Sequence, residues 1–227
     1  MDEFYRFPHT PHLVWLADVA PRDDKVLSSD EAKSLLNDVI HVEEKLDGAN
    51  LGFSLSSTMQ LRIQNRGTYL AEPYVGQFAR LKSWLVQNEE AVLSGLTSDL
   101  ILFGEWCAAR HTLEYMSLPD WFLLFDVYDK RSRKFWSSSR RNALASDIGI
   151  NTVPSVFTGQ SNISELEKVL NSRKSRYRDG LMEGLVVRRD TMEWCEARAK
   201  IVRAEFVQTI DDHWRKRQIE WNRIDYS

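Results

Sequence analysis

The sequence has few of the features that are typical of secreted or membrane proteins. Its 227 residues include only two cysteines, Cys107 and Cys195, and their spacing matches neither a disulfide framework nor a zinc site, which favours a reducing compartment. The first residues are acidic and lack the apolar region of a signal peptide, and no run of about 18 apolar residues could span a membrane. We therefore expect an intracellular, soluble protein, cytoplasmic or nuclear, without a membrane partner.

The sequence also lacks an excess of basic residues. Its formal net charge is −3 at pH 7, so no basic field over the whole molecule indicates a nucleic-acid partner. Lysine and arginine are concentrated between residues 173 and 223, where a local basic surface could contact phosphates. The alternative interpretation is a solvated helix face balanced by nearby acids, and the composition alone leaves both open.

Apolar patterning predicts a mixture of strands and helices in an ordinary globular composition, with 43% hydrophobic and 28% charged residues. Alternation and short apolar runs predict strands over 13–16, 39–42, 51–55, 61–65, 100–106, 122–128, 185–187 and 199–202. Helical spacing and caps predict helices over 32–36, 74–87, 138–145, 163–170 and 206–219. Because strand and helix do not alternate regularly, we expect an α+β fold with mostly antiparallel sheets flanked by helices.

The run Lys45-Leu46-Asp47-Gly48-Ala49-Asn50 places a lysine at a strand end, just before an Asp-Gly pair. A lysine amine becomes nucleophilic when compensating cations or partial desolvation lower its pKa. A glycine here lets the backbone turn and permits the close approach of a phosphate or a base. Taken alone, the run is more often an exposed turn with a solvated lysine, so its meaning depends on the rest of the chain.

Three carboxylates accompany apolar strands: Glu105, Asp126 and Glu183. Burying them is costly unless a cation or a hydrogen-bond donor meets them. Two basic residues follow late in the chain, Arg198 and Lys200. Carboxylates can hold Mg²⁺ and cationic side chains can hold phosphate oxygens, so this set predicts phosphoryl or nucleotidyl transfer, in which catalysis is mainly positioning and electrostatics.

The order of these pieces is similar to that in a known superfamily. The sequence resembles the covalent nucleotidyltransferases, the superfamily of ligases and capping enzymes, and within it the RNA ligases of the RNA ligase 2 type. The matching motifs are Lys45-x-Asp47-Gly48-x-Asn50, Phe103-Gly104-Glu105, Phe122-Leu123-Leu124-Phe125-Asp126, Glu183-Gly184-Leu185-Val186-Val187 and Arg198-x-Lys200. Asn50 discriminates, because DNA ligases and capping enzymes usually have arginine there. The implied fold is an ATP-grasp-like nucleotidyltransferase domain of the ligase and capping-enzyme kind.

The resemblance implies a covalent reaction centred on Lys45. This lysine would attack the α-phosphate of ATP and carry AMP as a phosphoramidate, with Mg²⁺ or Mn²⁺ as metal cofactor. Glu183 would bind or position the metal, and Arg198 and Lys200 would neutralise the ATP phosphates. The family usually has lysine at both positions of the last motif; arginine at 198 can grip a phosphate but does not easily donate a proton, and we expect the change to be tolerated.

The resemblance also implies a set of nucleotide-binding residues. Glu44 would read the adenine amino group, and Asn50 would contact the reactive phosphates. Arg66, in the loop after the first hairpin, would handle a phosphate. Glu105 would hold the ribose hydroxyls, and Phe125 would stack on adenine. On composition alone, phenylalanine at 125 is more often core and glutamate at 105 is more often a structural salt-bridge partner.

Residues next to these motifs carry less information. His111 could contact a substrate, but a surface histidine is the more frequent case. Cys107, which follows a tryptophan, is interpreted as a core residue. We therefore assign a catalytic role to neither.

The implied substrate is RNA with 5′-phosphate and 3′-hydroxyl ends, including nicked duplexes and RNA/DNA hybrids. We expect a single adenylyltransferase (RNA ligase) domain over 1–227, with 201–227 a C-terminal helical segment too short for an OB-fold or a helical domain. We also expect a monomer, whose grip on RNA would come from Arg215-Lys216-Arg217 or from an accessory protein.

Two other functions stay open. A nucleotide- or RNA-binding module without turnover would share the fold, although the intact Lys45 argues against it. A DNA end-joining ligase would share the chemistry, although Asn50 and the expected lack of an OB-fold argue against it. A guanylyltransferase is the weakest alternative, because Glu44 favours adenine.

Overall fold

The computed structural model describes residues 4–18, 25–208 and 218–226. In these ranges the chain forms the strands β1 (Ile40–Lys45), β2 (Ala49–Leu55), β3 (Leu61–Gln64), β4 (Leu100–Trp106), β5 (Phe122–Asp129), β6 (Lys134–Phe135), β7 (Ser155–Gly159), β8 (Gly184–Asp190) and β9 (Cys195–Val202). The α-helices are α1 (Ser29–Leu36), α2 (Leu81–Ser94), α3 (Ser138–Asp147), α4 (Ile163–Ser172) and α5 (Ala204–Gln208). In the described part of the chain, no helix combines the length and the apolar character needed to cross a lipid bilayer.

The strands form two sheets in which neighbouring strands are antiparallel. The strand order is β7-β1-β8-β9 in the four-stranded sheet and β3-β2-β4-β5-β6 in the five-stranded sheet. The strands predicted over 51–55 and 61–65 form an antiparallel hairpin, because β2 pairs with β3 from Leu55 opposite Leu61 to Gly52 opposite Gln64. The predicted α+β fold with mostly antiparallel sheets flanked by helices is therefore confirmed.

Each sheet has its own hydrophobic core. The alternating residues Leu51 and Phe53 of β2 are fully buried and belong to one cluster with Leu81 and Trp84 of α2. The four-stranded sheet buries a second cluster, which includes Leu35, Val42, Leu166, Leu185 and Ile201. Burying one such side chain contributes roughly 1.5–3 kcal/mol to the stability of the fold. The two cores therefore stabilise the two sheets that position the side chains between them.

Helix α1 begins where the sequence predicts a cap. The Ser28 hydroxyl accepts a hydrogen bond from the Glu31 backbone N–H at 3.2 Å, and the Glu31 carboxylate accepts one from the Ser28 backbone N–H at 2.8 Å. This reciprocal pair satisfies two N–H groups that the first turn leaves without helical partners. The N-cap residue is therefore Ser28, and Ser29 is the first helical residue.

Two predicted elements differ from the observed ones. The strand predicted over 13–16 is absent: the Leu13 N–H donates to the Lys200 carbonyl, but the chain bends at residues 13 and 14, and only isolated bridges of His12 form here. The helix predicted over 74–87 begins instead at Leu81 and runs to Ser94. Gly76 has a φ of 62°, a left-handed conformation that a helix cannot include, so residues 76–78 form only a 3₁₀ turn.

The helical segment predicted over 201–227 is wrong in the described ranges. Ile201 and Val202 are the last residues of β9, because they pair with Leu185 and Gly184 of β8. Among the described residues after Val202, only Ala204–Gln208 is helical, and residues 218–226 make isolated bridges to residues 109 and 118 instead of forming a helix. The predicted basic run at 215–217 lies outside the described residues.

A glycine in β4 allows a close approach to β5. A Cβ atom at Gly104 would collide with the Phe122 ring and would lie 2.7 Å from the Leu123 carbonyl oxygen. Glu105 follows Gly104 in β4. The glycine of the Phe-Gly-Glu motif therefore allows the close packing of β4 on β5 that positions the Glu105 carboxylate.

Replacing Gly104 with Ala is expected to lower the free energy of unfolding by about 1–3 kcal/mol, because the added methyl group overpacks the contact between two strands. Urea denaturation measures the change. In the control Gly67→Ala the new Cβ would meet only Asn65 Oδ1, at 3.8 Å, and a change within about 0.5 kcal/mol is expected. Equal stability of the two variants would contradict the close packing at Gly104.

Candidate active site

A cavity of about 650 Å³ is lined by residues of both sheets. This volume lies within the roughly 300–1,000 Å³ of typical small-molecule sites. Strands β1, β8 and β9 contribute from the four-stranded sheet, and β2, β4 and β5 contribute from the five-stranded sheet. The lining includes every site residue predicted from the sequence: Glu44, Lys45, Asn50, Arg66, Glu105, Phe125, Glu183, Arg198 and Lys200.

Lys45, the last residue of β1, is held by Glu183. In the pairing of β1 with β8, Lys45 lies opposite Gly184, so the residue before β8 comes beside the lysine. The Lys45 Nζ donates to both carboxylate oxygens of Glu183, at 2.7 and 2.8 Å. The two side chains are 27% and 11% exposed, so this ion pair lies largely inside the cavity wall.

The charges around Lys45 favour its protonated form. Burial acts to lower the pKa of Lys45, but the carboxylates of Glu183, Glu105 and Asp47 outweigh burial and raise this pKa above its ordinary value. The expectation that the site lowers the Lys45 pKa is therefore wrong for the protein without ligands. The reason is that the groups acting on the amine are carboxylates rather than cations.

Two carboxyl groups of the site titrate near neutral pH. Burial raises the pKa of Glu183 to about 7, although Lys45 acts to lower it. Burial likewise raises the pKa of Glu105 to about 7, and the charges of Lys45 and Arg66 act in the opposite direction. A carboxylate destabilised in this way is stabilised by an added cation, so the site favours ligands that bring positive charge.

Replacing Glu105 with Gln is expected to raise the stability of the folded protein at pH 8. The folded-state pKa of about 7 exceeds the value of about 4.3 for a free glutamate. Between these values the folded state binds more protons than the unfolded state, so stability falls as the pH rises. Glutamine removes that loss, and the two proteins should have similar stability at pH 4.

Thermal unfolding at pH 4 to 8 measures this difference. The matched control is Glu90→Gln, because Glu90 is exposed on α2, and its unfolding profile should follow that of the wild type. A Glu105→Gln profile that also follows the wild type at every pH would contradict the raised pKa of Glu105.

Three buried polar atoms in the cavity wall have no hydrogen-bond partner among the described residues. Glu44 Oε2 accepts a hydrogen bond from the Arg176 backbone N–H at 2.9 Å, but Glu44 Oε1 has no partner among the described residues. The same is true of both polar side-chain atoms of Asn50. Burial raises the pKa of Glu44. Because unpaired buried groups are costly, these atoms indicate that a polar ligand or water completes the site.

Arg66 and Phe125 occupy the rim and the wall of the cavity. The Asn65 side chain accepts hydrogen bonds from the backbone N–H groups of Gly67 and Thr68, at 2.8 and 2.9 Å, and so fixes the loop that carries the exposed Arg66. Phe125 is half-buried and packs edge-to-face against Phe7, with 5.2 Å between ring centroids. Phe125 is therefore accessible enough to meet a ligand.

Arg198 lines the cavity, but its charge is bound to a carboxylate. Its Nη1 donates to Asp126 Oδ2, and its guanidinium lies 4.6 and 4.1 Å from the ring centroids of Phe7 and Phe135. The other oxygen of Asp126 accepts a hydrogen bond from Arg188 at 2.7 Å. Asp126 of the third motif thus joins β5 to β8 and β9.

Sequence reasoning missed a second buried ion pair in this wall. Arg141 of α3 donates to Glu43 Oε1 at 2.5 Å and to the Phe125 carbonyl at 2.6 Å. It is 1% exposed, and it connects the strand of Lys45 with the strand of Phe125. A lone arginine in an amphipathic helix is usually a surface residue, so no sequence signal distinguished it.

His111 was also misjudged from the sequence. It is not a surface residue: its side chain is 11% exposed and lines the same cavity. Its loop is held by Asp47, whose Oδ2 accepts hydrogen bonds from the Thr112 and Leu113 backbone N–H groups at 2.7 and 2.8 Å. The Asp of the Lys-x-Asp-Gly motif therefore positions the loop that carries His111 in the cavity wall.

The charges of the lining can be compared with those of a nucleotide. The acidic side chains are Glu43, Glu44, Asp47, Glu105, Asp126 and Glu183, and the lysine and arginine side chains are Lys45, Arg66, Arg188, Arg198 and Lys200. A triphosphate adds several negative charges, so its binding needs added cations or protons. Among the described residues no three His, Cys, Asp or Glu side chains could hold a metal ion by themselves. Mg²⁺ is commonly bound by one or two carboxylates together with substrate phosphates and water, and Glu183 of the lining offers one such carboxylate.

Several solved structures of RNA ligases have a fold similar to that of this chain. The Naegleria gruberi RNA ligase with PPi matches at a TM-score of 0.59 and 18% identity, over 80% of this chain and 54% of that chain. An archaeal ATP-dependent RNA ligase matches at 0.59 and 18%, over 87% and 48%. A Naegleria gruberi RNA ligase variant with ATP and Mn matches at 0.57 and 17%, over 79% and 54%. The protein thus has the nucleotidyltransferase fold of these ligases and spans about half their length.

The chain belongs to the RNA ligase family, whose sequence model matches residues 38–202. The matched region begins just before β1, ends with the last residue of β9, and contains all the predicted site residues. The resemblance seen in the sequence is therefore confirmed at the level of the family. A search of curated protein sequences found no significant match.

Proposed function

We propose that this protein is an ATP-dependent RNA ligase that forms a covalent adenylate on Lys45, with residues 1–227 acting as one adenylyltransferase domain. The carrying observation is the position of the Lys45 amine in a cavity of nucleotide size, hydrogen-bonded to Glu183 and surrounded by the other motif residues of the family. Family membership supports the class of reaction, and the cavity supports its location.

The nucleoside of ATP would bind through side chains of the cavity that can still stack with a base or accept hydrogen bonds. The half-buried ring of Phe125 offers a stacking surface for adenine. The adenine amino group would donate to Glu44 Oε1, which has no partner among the described residues. Glu105 would accept hydrogen bonds from the ribose hydroxyls. Because its pKa is raised to about 7, both the protonated and the ionised carboxyl group are present near neutral pH, and each has an oxygen that can accept such a bond.

The phosphates would bind beside Lys45. Asn50, Arg66 and Lys200 line this cavity and would contact phosphate oxygens, and Glu183 would hold Mg²⁺ or Mn²⁺. Such a cation, when bound, neutralises phosphate charge and disfavours a neighbouring ammonium. When Glu183 turns away from Lys45, burial of the amine is no longer offset by this carboxylate. The pKa of Lys45 would then fall, and the ammonium would release a proton to solvent to give the nucleophilic amine.

Three in-line displacements at phosphorus make up the proposed reaction. The Lys45 nitrogen bonds to the α-phosphorus of ATP while the bond to the pyrophosphate oxygen breaks. A 5′-phosphate oxygen of RNA then displaces Lys45 and takes over the AMP. Finally a 3′-hydroxyl attacks the activated 5′ end and releases AMP. Each displacement needs the same kind of charge stabilisation, so one cavity can serve all three.

Arg198 would join the phosphate contacts only by exchanging a partner. In the present arrangement its Nη1 binds Asp126. A phosphate oxygen could replace that carboxylate, because arginine binds both groups with the same planar geometry. We therefore keep Arg198 in the proposed catalytic set, with Asp126 as its partner when no nucleotide is bound.

The proposed function is tested with α-labelled ATP and matched nicked duplexes. The purified protein should retain label with Mg²⁺ and should seal a nick whose 3′-hydroxyl strand is RNA. Nucleotide binding without label retention would favour the module without turnover. Sealing of an all-DNA nick at the rate of the RNA nick would favour the DNA end-joining ligase. Size-exclusion chromatography during purification tests whether the protein is a soluble monomer, as we propose.

A further inference from the structure

His111 has a fixed position beside the reactive lysine. Its loop follows β4 and is tied to Asp47, two residues after Lys45, by the two backbone hydrogen bonds to Asp47 Oδ2. The ring lines the nucleotide cavity with 11% of the side chain exposed. None of the roles proposed above uses this histidine.

Two acceptors face the two nitrogens of the ring. His111 Nε2 lies 2.8 Å from Gln77 Oε1, and Nδ1 lies 3.9 Å from Asp47 Oδ1. A neutral imidazole carries one N–H and an imidazolium carries two, so this surrounding suits a protonated ring. Burial opposes protonation and lowers the pKa of His111; Asp47 acts to raise the pKa, and Lys45 acts to lower it.

The cavity offers a triphosphate little net positive charge. Arg188 and Arg198 both bind Asp126, and Arg188 Nε also lies 3.6 Å from Asp190, so these four charges balance. The ammonium of Lys45 is balanced by Glu183. Incoming phosphates stabilise any nearby group in its cationic form, and the His111 imidazole of the lining becomes cationic when it takes up a proton.

We propose that His111 takes up a proton when the phosphates of a nucleotide enter the cavity, and so supplies a positive charge beside Lys45. The proton comes from solvent, and no covalent bond changes. This inference rests on the proposed function, because it assigns a partner for the same nucleotide. It makes nucleotide affinity depend on pH through a residue outside the matching motifs.

The test is calorimetric titration of the α,β-methylene analogue of ATP with Mg²⁺ at pH 7, in buffers with different ionisation enthalpies. This analogue cannot transfer AMP, so only binding is measured. The wild type should take up more protons than His111→Asn, which cannot protonate. The Glu105 and Glu183 carboxyl groups also titrate near this pH, but they are common to both proteins. Above neutral pH the affinity of the wild type for the analogue should fall more steeply with pH than that of His111→Asn. The difference should be up to about tenfold per pH unit for one proton.

Two further variants separate the inference from a loss of folding. His41→Asn is the matched control, since His41 lies on β1 against Thr158 and is not part of the lining; it should take up protons like the wild type. Gln77→Leu keeps His111 but removes one acceptor, and should reduce the proton uptake. It also decides the case if His111→Asn no longer binds the analogue.

Equal proton uptake by the wild type, His111→Asn and Gln77→Leu would overturn the inference. If the wild type still retains α-labelled AMP in that case, the proposed function stands without it. If the wild type neither binds the analogue nor retains label, the proposed function itself fails. The two failures are therefore distinguishable.

Discussion

Replacing Lys45 with Ala should reduce ATP–pyrophosphate exchange by at least about 10³-fold, because the variant lacks the atom that bonds to the α-phosphorus. The amine stands at the end of β1, and the register between β1 and β8 aligns it with Glu183. The other lysine of the lining, Lys200, belongs to β9 and would have to leave its sheet to take that position. Exchange measured with labelled pyrophosphate gives the result directly.

Two controls separate the nucleophile from its charge. Lys45→Arg keeps a cation beside Glu183 but provides no amine nucleophile, so it should remain folded and should be as inactive as Lys45→Ala. Lys82→Ala removes an exposed lysine that pairs with Glu72 at 2.7 Å, outside the cavity, and should exchange like the wild type. Substantial exchange by Lys45→Arg would show that the charge, rather than the amine, is required.

Replacing Asp126 with Ala should lower the free energy of unfolding by about 3–5 kcal/mol, the typical cost of leaving a buried charge without its partner. Asp126 binds Arg188 and Arg198, whose side chains are 1% and 11% exposed. The substitution leaves both guanidinium groups without this carboxylate between the two sheets. Chemical denaturation of the variant measures the loss.

The matched control is an exposed ion pair. Asp179 pairs with Lys174 at 2.7 Å, with side chains 91% and 71% exposed, and Asp179→Ala should cost less than about 1 kcal/mol. If Asp126→Ala and Asp179→Ala were equally stable, the buried contacts around Asp126 would not join the sheets as described.

Local patterns in the sequence were enough to predict the strands that carry the site. The alternation in β2 and the apolar runs of β4 and β5 indicate which residues are buried in a sheet, and this pattern is general to β-strands. Departures occur where a single residue overrides the pattern. Gly76, with its φ of 62°, lies in a left-handed conformation, and the helix predicted from residue 74 begins only at Leu81.

The members of the site could be predicted from motif order, but their partners could not. All the predicted residues line one cavity, whereas the contact between Lys45 and Glu183 depends on a strand register that joins positions 138 apart. The direction of the Lys45 pKa follows from that contact. Arg141 and His111 have no motif at all, and only their distances to other side chains reveal them.

The most direct test of the account is the mass of the protein after incubation with ATP and Mg²⁺, followed by peptide mapping. The account predicts an added mass of one AMP, located on the peptide that contains Lys45 and absent from Lys45→Arg. An adduct on a different residue, or no adduct on a protein that binds ATP, would contradict it.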